Sequence, residues 1–306
     1  MSTLVVLEQM IVIFLLVIVG FALTKKKIVT REGSRMLSVI VLNVTNPAMI
    51  LSAVLTEDIS VSHGELLLMI LVSAIVYAVL IILGWLLPRV FRVPRTERIF
   101  YNVMTVYTNT GFIGLPVVSA VMGPSAMIYI SVMNIFFGLL FYTHGHMVLL
   151  SGTEGGKAFS PMKLINIGTI SSAAAILLFW FGVRLPSVAE TTLSYMGRAT
   201  TFLSMIVLGS NLARAELRSL FKNVRVMIFS IVRMLAVPAL FIFIAKPILN
   251  NDLMVGTIAL LIAMPAANTP LMIAEKHGIR SETLTQGILL STVFSLATIT
   301  LVGFML

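Results

Sequence analysis

The chain has 306 residues, of which 58% are hydrophobic and 11% are charged. Soluble domains carry roughly 25% charged residues, so this composition excludes a soluble globular protein and indicates an integral membrane protein. The net charge of +9 requires no nucleic-acid partner, since basic loops also meet anionic lipid headgroups, and the lack of cysteine excludes disulfides, thiolate metal ligands and cysteine nucleophiles.

Ten apolar segments follow one another along the chain, each long enough to cross the ~30 Å hydrocarbon core of a bilayer as a helix. The first is expected to be a retained helix rather than a signal peptide, because it is too long and lacks a basic segment before it and a small-residue cleavage site after it. The sequence therefore predicts an all-α membrane protein. The predicted spans are 4–23, 34–55, 65–87, 99–121, 125–149, 162–183, 189–211, 225–249, 252–274 and 283–304.

Lysine and arginine separate between alternate loops, and this orients the spans because basic residues in short loops stay on the cytoplasmic side. One set of loops holds seventeen of these residues, whereas the other set holds only Arg184 and Lys246. We therefore predict a multi-pass protein of the cell membrane with both termini outside the cytoplasm.

The ten spans divide five and five about a polar linker. Residues 1–150 are predicted to form a first five-helix repeat, 151–161 a cytoplasmic linker and 162–306 a second five-helix repeat. Because each half has an odd number of spans, the second half must cross the membrane in the opposite sense. Inverted repeats with interrupted spans at corresponding positions are typical of secondary transporters, whose site lies near mid-membrane.

Two pairs of residues support a true repeat. Asn109 and Asn268 are 159 positions apart, and so are Pro88 and Pro247, each near the end of the third span of its half. The asparagines lie in the fourth span of each half, in segments that read YTNTGFIGLPVV and AMPAANTPLMIA. These two segments are therefore expected to occupy equivalent places in the two halves.

Glycine and proline interrupt both of these spans. Proline lacks an N–H and glycine loosens a helix, so we predict that each span divides into two half-helices joined by unwound backbone. Such backbone is tolerated at that depth only if it is buried in protein or lines a wet cavity. The predicted break residues are Gly114, Pro116, Pro265 and Pro270.

The breaks create two new helix N-termini near the membrane centre. Each carries about half a positive charge and unpaired N–H donors, and the two spans run antiparallel, so both positive ends can converge on one anion. The predicted substrate-binding residues at this point are Asn109, Thr110, Gly111, Asn268 and Thr269.

Two arginines lie inside predicted spans. Arg198 is about ten residues into its span, near mid-bilayer at 1.5 Å per residue, and no acidic residue lies at its depth. It is a candidate for binding the substrate or for adding positive electrostatic potential at the substrate site. The alternative is that it donates hydrogen bonds to the carbonyls of the broken helices. Arg233, about eight residues from the cytoplasmic end of its span, is expected to extend its charge to that end.

Further polar residues lie in the second and fifth spans. Asn43 and Asn46, in NVTNPAMI, are three apart and predicted to share one helix face, where they would bind substrate or neighbouring helices. Asn134 is a candidate of the same kind. His144 and His146 are interpreted as polar filling, since the HExxH pattern and acidic partner of a zinc hydrolase are missing.

The motifs NPAMIL, YTNTGFIGLPVV and AMPAANTPLMIAEKHG, distributed over ten spans, resemble the auxin efflux carrier family, the PIN-type carriers and their prokaryotic relatives. The resemblance implies an architecture similar to that of bile-acid sodium symporters. Spans 1, 2, 6 and 7 would form a scaffold domain, spans 3–5 and 8–10 a transport domain that moves as an elevator, and the protein would be a homodimer. It also implies that Asn109 and Asn268 are crossover asparagines, with Pro116 and either Pro265 or Pro270 as crossover prolines.

The sequence thus predicts a secondary carrier of a small organic anion, a mono- or dicarboxylate of malate/malonate or auxin-like type, without enzymatic activity or cofactor. The short linker differs from the large cytoplasmic loop of the plant family members, so the resemblance to prokaryotic relatives points to dicarboxylates such as malate or malonate rather than to auxin. The alternative is a sodium-coupled symporter or a cation/proton antiporter on the same fold. The expected partners are the anion, membrane lipid, Na⁺ or H⁺ as coupling ion and a second copy of the chain.

Overall fold

The computed structural model describes residues 3–56, 61–151, 167–214, 223–279 and 281–306. These residues are helical and contain no β-strand beyond one isolated bridge. The helices are α1 (Thr3–Lys25), α2 (Arg31–Ile40), α3 (Asn46–Thr56), α4 (His63–Val90), α5 (Arg98–Val106), α6 (Leu115–Met122), α7 (Ala126–Leu140), α8 (His146–Leu150), α9 (Ile167–Trp180), α10 (Ser187–Arg214), α11 (Val224–Leu249), α12 (Asp252–Ala263), α13 (Thr269–Lys276) and α14 (Glu282–Met305).

Helix occurs within each of the ten predicted apolar segments. Among the described residues, five helical stretches are long and apolar enough to cross a membrane, and shorter apolar helices accompany them. The helix α10 has 28 residues but is not among the five, because polar residues recur along it. The prediction of an all-α fold is therefore confirmed for the described residues, and their long apolar helices fit a membrane protein.

Parts of the predicted topology lie outside the described residues. The linker 151–161 is described only at Ser151. Several basic loop residues used to orient the spans also lie outside: Lys157, Lys163, Arg218, Lys222 and Arg280.

In the part of the chain that the structure describes, three wider π-helical turns interrupt the regular helices. Val41–Thr45 joins α2 to α3, Thr110–Gly114 leads into α6, and Phe141–Gly145 joins α7 to α8. A π-helical turn adds a residue to the turn, and such turns often mark functional positions. Side chains before and after each turn are therefore rotated relative to one another, compared with their positions in a regular α-helix.

Polar caps fix the helix starts at the end of the bundle opposite Arg31. Ser62 and Glu65 form a capping box at the start of α4. Asn251 caps α12 by accepting from the Met254 N–H at 2.9 Å, and its amide donates to Glu65 Oε1 at 2.6 Å. One side-chain pair thus ties the beginnings of α4 and α12 together.

The helix α10 packs against α1 and α3 at close range. A Cβ atom at Gly209 would overlap the carbonyl oxygen of Val17, and one at Gly197 would lie 2.8 Å from the Cα atom of Met49. Small residues allow this backbone approach between membrane helices. The helices α1, α3, α9 and α10 therefore form one packed group, since α3 also packs against α9.

The remaining long helices pack mainly among themselves. The helix α11 lies against α12 and α14, and α4 lies against α5 and α7. The first group meets this second group mainly where α9 packs against α7, and also where α1 contacts α14 and α6 and where α10 contacts α6 and the Thr110–Gly114 turn. The first interrupted segment therefore lies at the boundary between the two groups.

Candidate functional site

Two interrupted helices cross at their breaks. The helix α5 ends at Val106 and α12 ends at Ala263, and the unwound residues that follow form an antiparallel bridge between Thr108 and Ala266. The Asn109 N–H donates to the Pro265 carbonyl at 2.8 Å, and the Ala267 N–H donates to the Tyr107 carbonyl at 3.0 Å. The two breaks thus satisfy each other's backbone groups, which membrane-buried backbone requires.

The predicted break residues surround this crossing. Pro265 lies in the unwound segment, Pro270 is the second residue of α13, and Pro116 is the second residue of α6. Gly114 ends the π-helical turn, and a Cβ atom there would lie 3.0 Å from a methyl carbon of Leu261. The glycine therefore allows the turn to pack closely against α12.

Arg233 holds the ends of both interrupted helices. The side chain is 2% exposed, and its guanidinium donates to the carbonyls of Ile262 at 2.7 Å, Met264 at 2.6 Å and Thr105 at 3.0 Å. Carbonyls at a helix C-terminus lack intrahelical partners and form the negative end of the helix dipole. The positive charge of Arg233 therefore stabilises two helix ends at once.

This arrangement corrects the expectation that Arg233 extends toward the end of its span. The arginine does not reach that end, because the carbonyls of α5 and α12 lie within hydrogen-bond distance and offer a buried guanidinium three acceptors. The role of bonding broken-helix carbonyls, considered for Arg198, is thus performed by Arg233. In the sequence, such an arginine is marked by its depth in a span and by the lack of an acidic partner. Arg198 and Arg233 share both features, so these features do not distinguish them.

Two asparagine side chains hold the turn that follows the first break. Asn109 Oδ1 accepts from the Phe112 N–H at 3.1 Å, which caps the Thr110–Gly114 turn. Asn46, buried in α3, donates from Nδ2 to the Gly111 carbonyl at 2.9 Å. The turn is therefore fixed both by its own cap and by a helix of the first group.

A cavity of about 720 Å³ reaches this crossing from one end of the bundle. Asn109 and Asn268 line it, together with three arginines, Arg31, Arg35 and Arg214. We call it the basic-end cavity, and the end of the bundle where these arginines lie the basic end. Its other polar lining residues are Ser34, Ser38, Asn211, Thr285 and Thr292. No acidic side chain is among the described residues that line it, so its charge is positive.

The two crossover asparagines offer donors to this cavity. Asn109 uses its side-chain oxygen for the cap, and its Nδ2 has no hydrogen-bond partner among the described residues. The Asn268 side chain also has no hydrogen-bond partner among the described residues. Thr110 and Thr269 lie next to the asparagines but do not line the cavity. The cavity can therefore present two amide groups and arginine charge to an anion.

Arg198 lies in a different cavity. A space of about 380 Å³ opens from the opposite end of the bundle between α3, α6 and α10, and the exposed Arg198 side chain lines it. We call it the Arg198 cavity. It shares no lining residue with the basic-end cavity, so the structure does not bring Arg198 together with Asn109 and Asn268.

The structure also separates two other candidates from the crossing. Asn43 is exposed, and its Nδ2 donates to the Val39 carbonyl of its own helix at 2.9 Å. The expectation that it shares a face with Asn46 is wrong, because the Val41–Thr45 turn is π-helical and changes the angle between them. Asn134 is half-buried in α7 and lines neither cavity.

Tyr107 anchors the crossing to α7 and was not singled out in the sequence. Its hydroxyl donates to the Leu140 carbonyl at 2.9 Å and lies 2.9 Å from His144 Nδ1. Its backbone carbonyl meanwhile accepts from Ala267. His146 is buried and packs edge-on against His277, with ring centroids 5.6 Å apart. Both histidines predicted as polar filling are thus packed within the protein.

Comparison with known proteins gives relatives over the whole chain. The sequence model of the membrane transport protein family matches residues 5–175 and 163–302. The chain is 24% identical over 311 aligned residues to an uncharacterized transporter of Methanocaldococcus jannaschii, covering 98% of each chain. It is also 24% identical over 302 residues to an uncharacterized transporter of Methanothermobacter thermautotrophicus, covering 96% of each.

Proposed function

Since the chain belongs to the membrane transport protein family, which includes the auxin efflux carriers, we propose that it is a secondary carrier of a small organic anion. One observation carries the proposal: two crossing helix breaks form the inner end of a positively charged cavity. The carrier binds its substrate at that crossing and catalyses no covalent step. Transport proceeds by alternating access, in which the crossing opens to one end of the bundle at a time.

The substrate site in this proposal lies at Asn109 and Asn268. Their amide groups donate to a carboxylate, and the N-terminal ends of α13 and of the Thr110–Gly114 turn add positive partial charge. Arg31, Arg35 and Arg214 raise the local concentration of anions at the cavity entrance. A second carboxylate on the same molecule is attracted by the positive charge of these arginines. Small dicarboxylates of the malate or malonate type therefore fit the site better than an auxin-like monocarboxylate.

We also propose the domain arrangement that the family resemblance implies. Ten spans form two inverted five-helix repeats, 1–150 and 162–306, with the basic end in the cytoplasm and both termini outside. The group α1, α3, α9 and α10 serves as scaffold, and the group that contains the crossing moves as an elevator. Packing supports the scaffold group, in which α10 packs against α1 and α3, and α3 packs against α9. Two copies associate as a homodimer within the lipid bilayer.

The alternative of a cation carrier on the same fold is less well supported. A sodium ion at a helix break would be coordinated by backbone carbonyls. At this crossing the carbonyls of Thr105, Ile262 and Met264 accept hydrogen bonds from Arg233. A positive guanidinium among these oxygens disfavours a second cation there. Na⁺ or H⁺ remains the proposed coupling ion for anion transport, bound elsewhere.

Transport in liposomes tests the proposal. Purified protein is reconstituted and loaded with unlabelled malate, malonate or auxin, and counterflow of the labelled compound is measured with no gradient, a sodium gradient or a pH gradient. Protein-free liposomes serve as the control. We expect saturable dicarboxylate counterflow. Movement of labelled sodium without movement of any organic anion would contradict the proposal and favour the cation carrier.

A further inference from the structure

We infer that the Arg198 cavity is a second anion site, which takes the carried anion at the end of the bundle opposite the basic end. This inference rests on the proposed function, because its ligand is the same small carboxylate. It assigns Arg198 to a separate binding site on the transport path rather than to the site at the crossing.

The cavity has the chemistry of an anion site. Arg198 is exposed in it, and no residue in the described part of the chain accepts a hydrogen bond from its guanidinium or pairs with its charge. Ser119, Ser194 and Thr201 contribute hydroxyl-bearing side chains to the same lining. An arginine presents a planar fork of N–H donors that matches both oxygens of a carboxylate. A volume of about 380 Å³ leaves room for a small anion and water.

The position of the cavity places it on the far side of a barrier from the crossing. Along α10, Thr201 lines the Arg198 cavity and Leu208 lines the basic-end cavity. At 1.5 Å per residue, these positions are about 10 Å apart along the helix axis. Between them, Ser204 to Val207 are buried. One helix therefore contributes to two cavities that open toward opposite ends and share no lining residue.

The two cavities also meet different ends of the same interrupted segment. Asn109 lines the basic-end cavity, whereas Ser119 of α6 lines the Arg198 cavity. Arg198 itself is on α10, in the helix group proposed as scaffold. If the crossing moves along the scaffold, Arg198 stays in place and meets the anion on the side opposite the basic end. Its charge then acts on substrate binding from that side alone.

Sided transport measurements test the inference. Uptake of labelled malonate is measured in membrane vesicles of both orientations. The exposed end is identified with an impermeant thiol reagent at an Ile28→Cys substitution, in the exposed loop between α1 and α2 at the basic end and outside the cavity lining. We expect Arg198→Gln to raise the KM by at least about 10-fold from the Arg198 end, the loss expected for one charge-assisted hydrogen bond. From the basic end, the KM of this variant stays near the wild-type value.

Two further variants sharpen the test. Arg198→Lys keeps the charge but loses the planar fork, so its KM from the Arg198 end should lie between those of wild type and Arg198→Gln. It also keeps the test decisive if the glutamine variant fails to fold. Arg35→Gln is the matched control, because it removes one charge from the other cavity and should raise the KM from the basic end only.

Each outcome has a defined meaning. A rise in KM confined to the Arg198 end supports the second site. An unchanged KM from that end, or an equal rise from both ends, overturns it while leaving the proposed function intact. A wild-type protein that carries no organic anion from either end contradicts the proposed function, and this inference with it.

Discussion

The backbone N–H of Asn109 donates to the carbonyl of Pro265 at 2.8 Å, so residues from the two halves of the chain are joined at the point where both helices are interrupted. The hydrogen bond does two things. It satisfies backbone groups that neither helix can satisfy, and it sets the positions of Asn109 and Asn268 relative to each other at the cavity. The site therefore depends on the crossing for its geometry.

The side chain of Asn109 is predicted to have two separable roles. Its oxygen caps the Thr110–Gly114 turn, and a lost cap costs about 0.5–2 kcal/mol of stability. Asn109→Ala should therefore lower both the melting temperature and transport. Asn109→Ser keeps a capping oxygen without the amide donor, so it should restore the melting temperature but not transport. Wild-type transport by the serine variant would remove Asn109 from substrate binding.

Arg233 is predicted to be a determinant of stability. Arg233→Met leaves three buried carbonyls without the guanidinium donor. Each unsatisfied carbonyl lowers the free energy of unfolding by about 1–3 kcal/mol. Removing a buried charge offsets part of this loss. We expect a clearly lowered melting temperature in detergent. The matched control is Arg225→Gln, an exposed position on the same helix, where the change should stay within about 0.5 kcal/mol. Equal melting of Arg233→Met and wild type would contradict this role.

The orientation in the membrane is predicted from seventeen basic loop residues against two. The chain has no cysteine, so single cysteines can be introduced and labelled without background. In intact cells, an impermeant thiol reagent should label Ser60→Cys and leave Gly155→Cys protected; both positions lie outside the described residues. Labelling of the cysteine at 155 with protection of that at 60 would reverse the orientation.

The sequence predicted those features that have local causes. Proline and glycine weaken a helix wherever they occur, and both segments that contain Asn109 and Asn268 are interrupted. The role of Arg233 was not predictable, because its acceptors lie on two other segments of the chain and only folding brings them together. Arg198 and Arg233 both lie deep in spans without an acidic partner, and local sequence does not tell which of them faces the crossing.

The turn between Asn43 and Asn46 shows a second limit. A three-residue spacing places two side chains on one face only in a regular α-helix, and Val41–Thr45 is π-helical instead. No proline or glycine lies within those five residues, but Pro47 follows closely, lacks an N–H and would clash with the carbonyl of Asn43 in a regular α-helix. The sequence therefore signals an interruption here, but not that it takes the form of a π-helical turn. The turn leaves Asn43 on the exposed surface and directs Asn46 to the Gly111 carbonyl.

The central claim, that the crossing binds a small organic anion, is tested most directly by equilibrium binding of malonate to purified Asn268→Ala and wild type. This variant is the cleanest, because no hydrogen bond from the Asn268 side chain to the described residues is lost. We predict saturable binding to wild type and binding at least about 10-fold weaker in the variant, as expected for one charge-assisted hydrogen bond, at an unchanged melting temperature. Equal affinity of the two proteins for malonate would contradict the account.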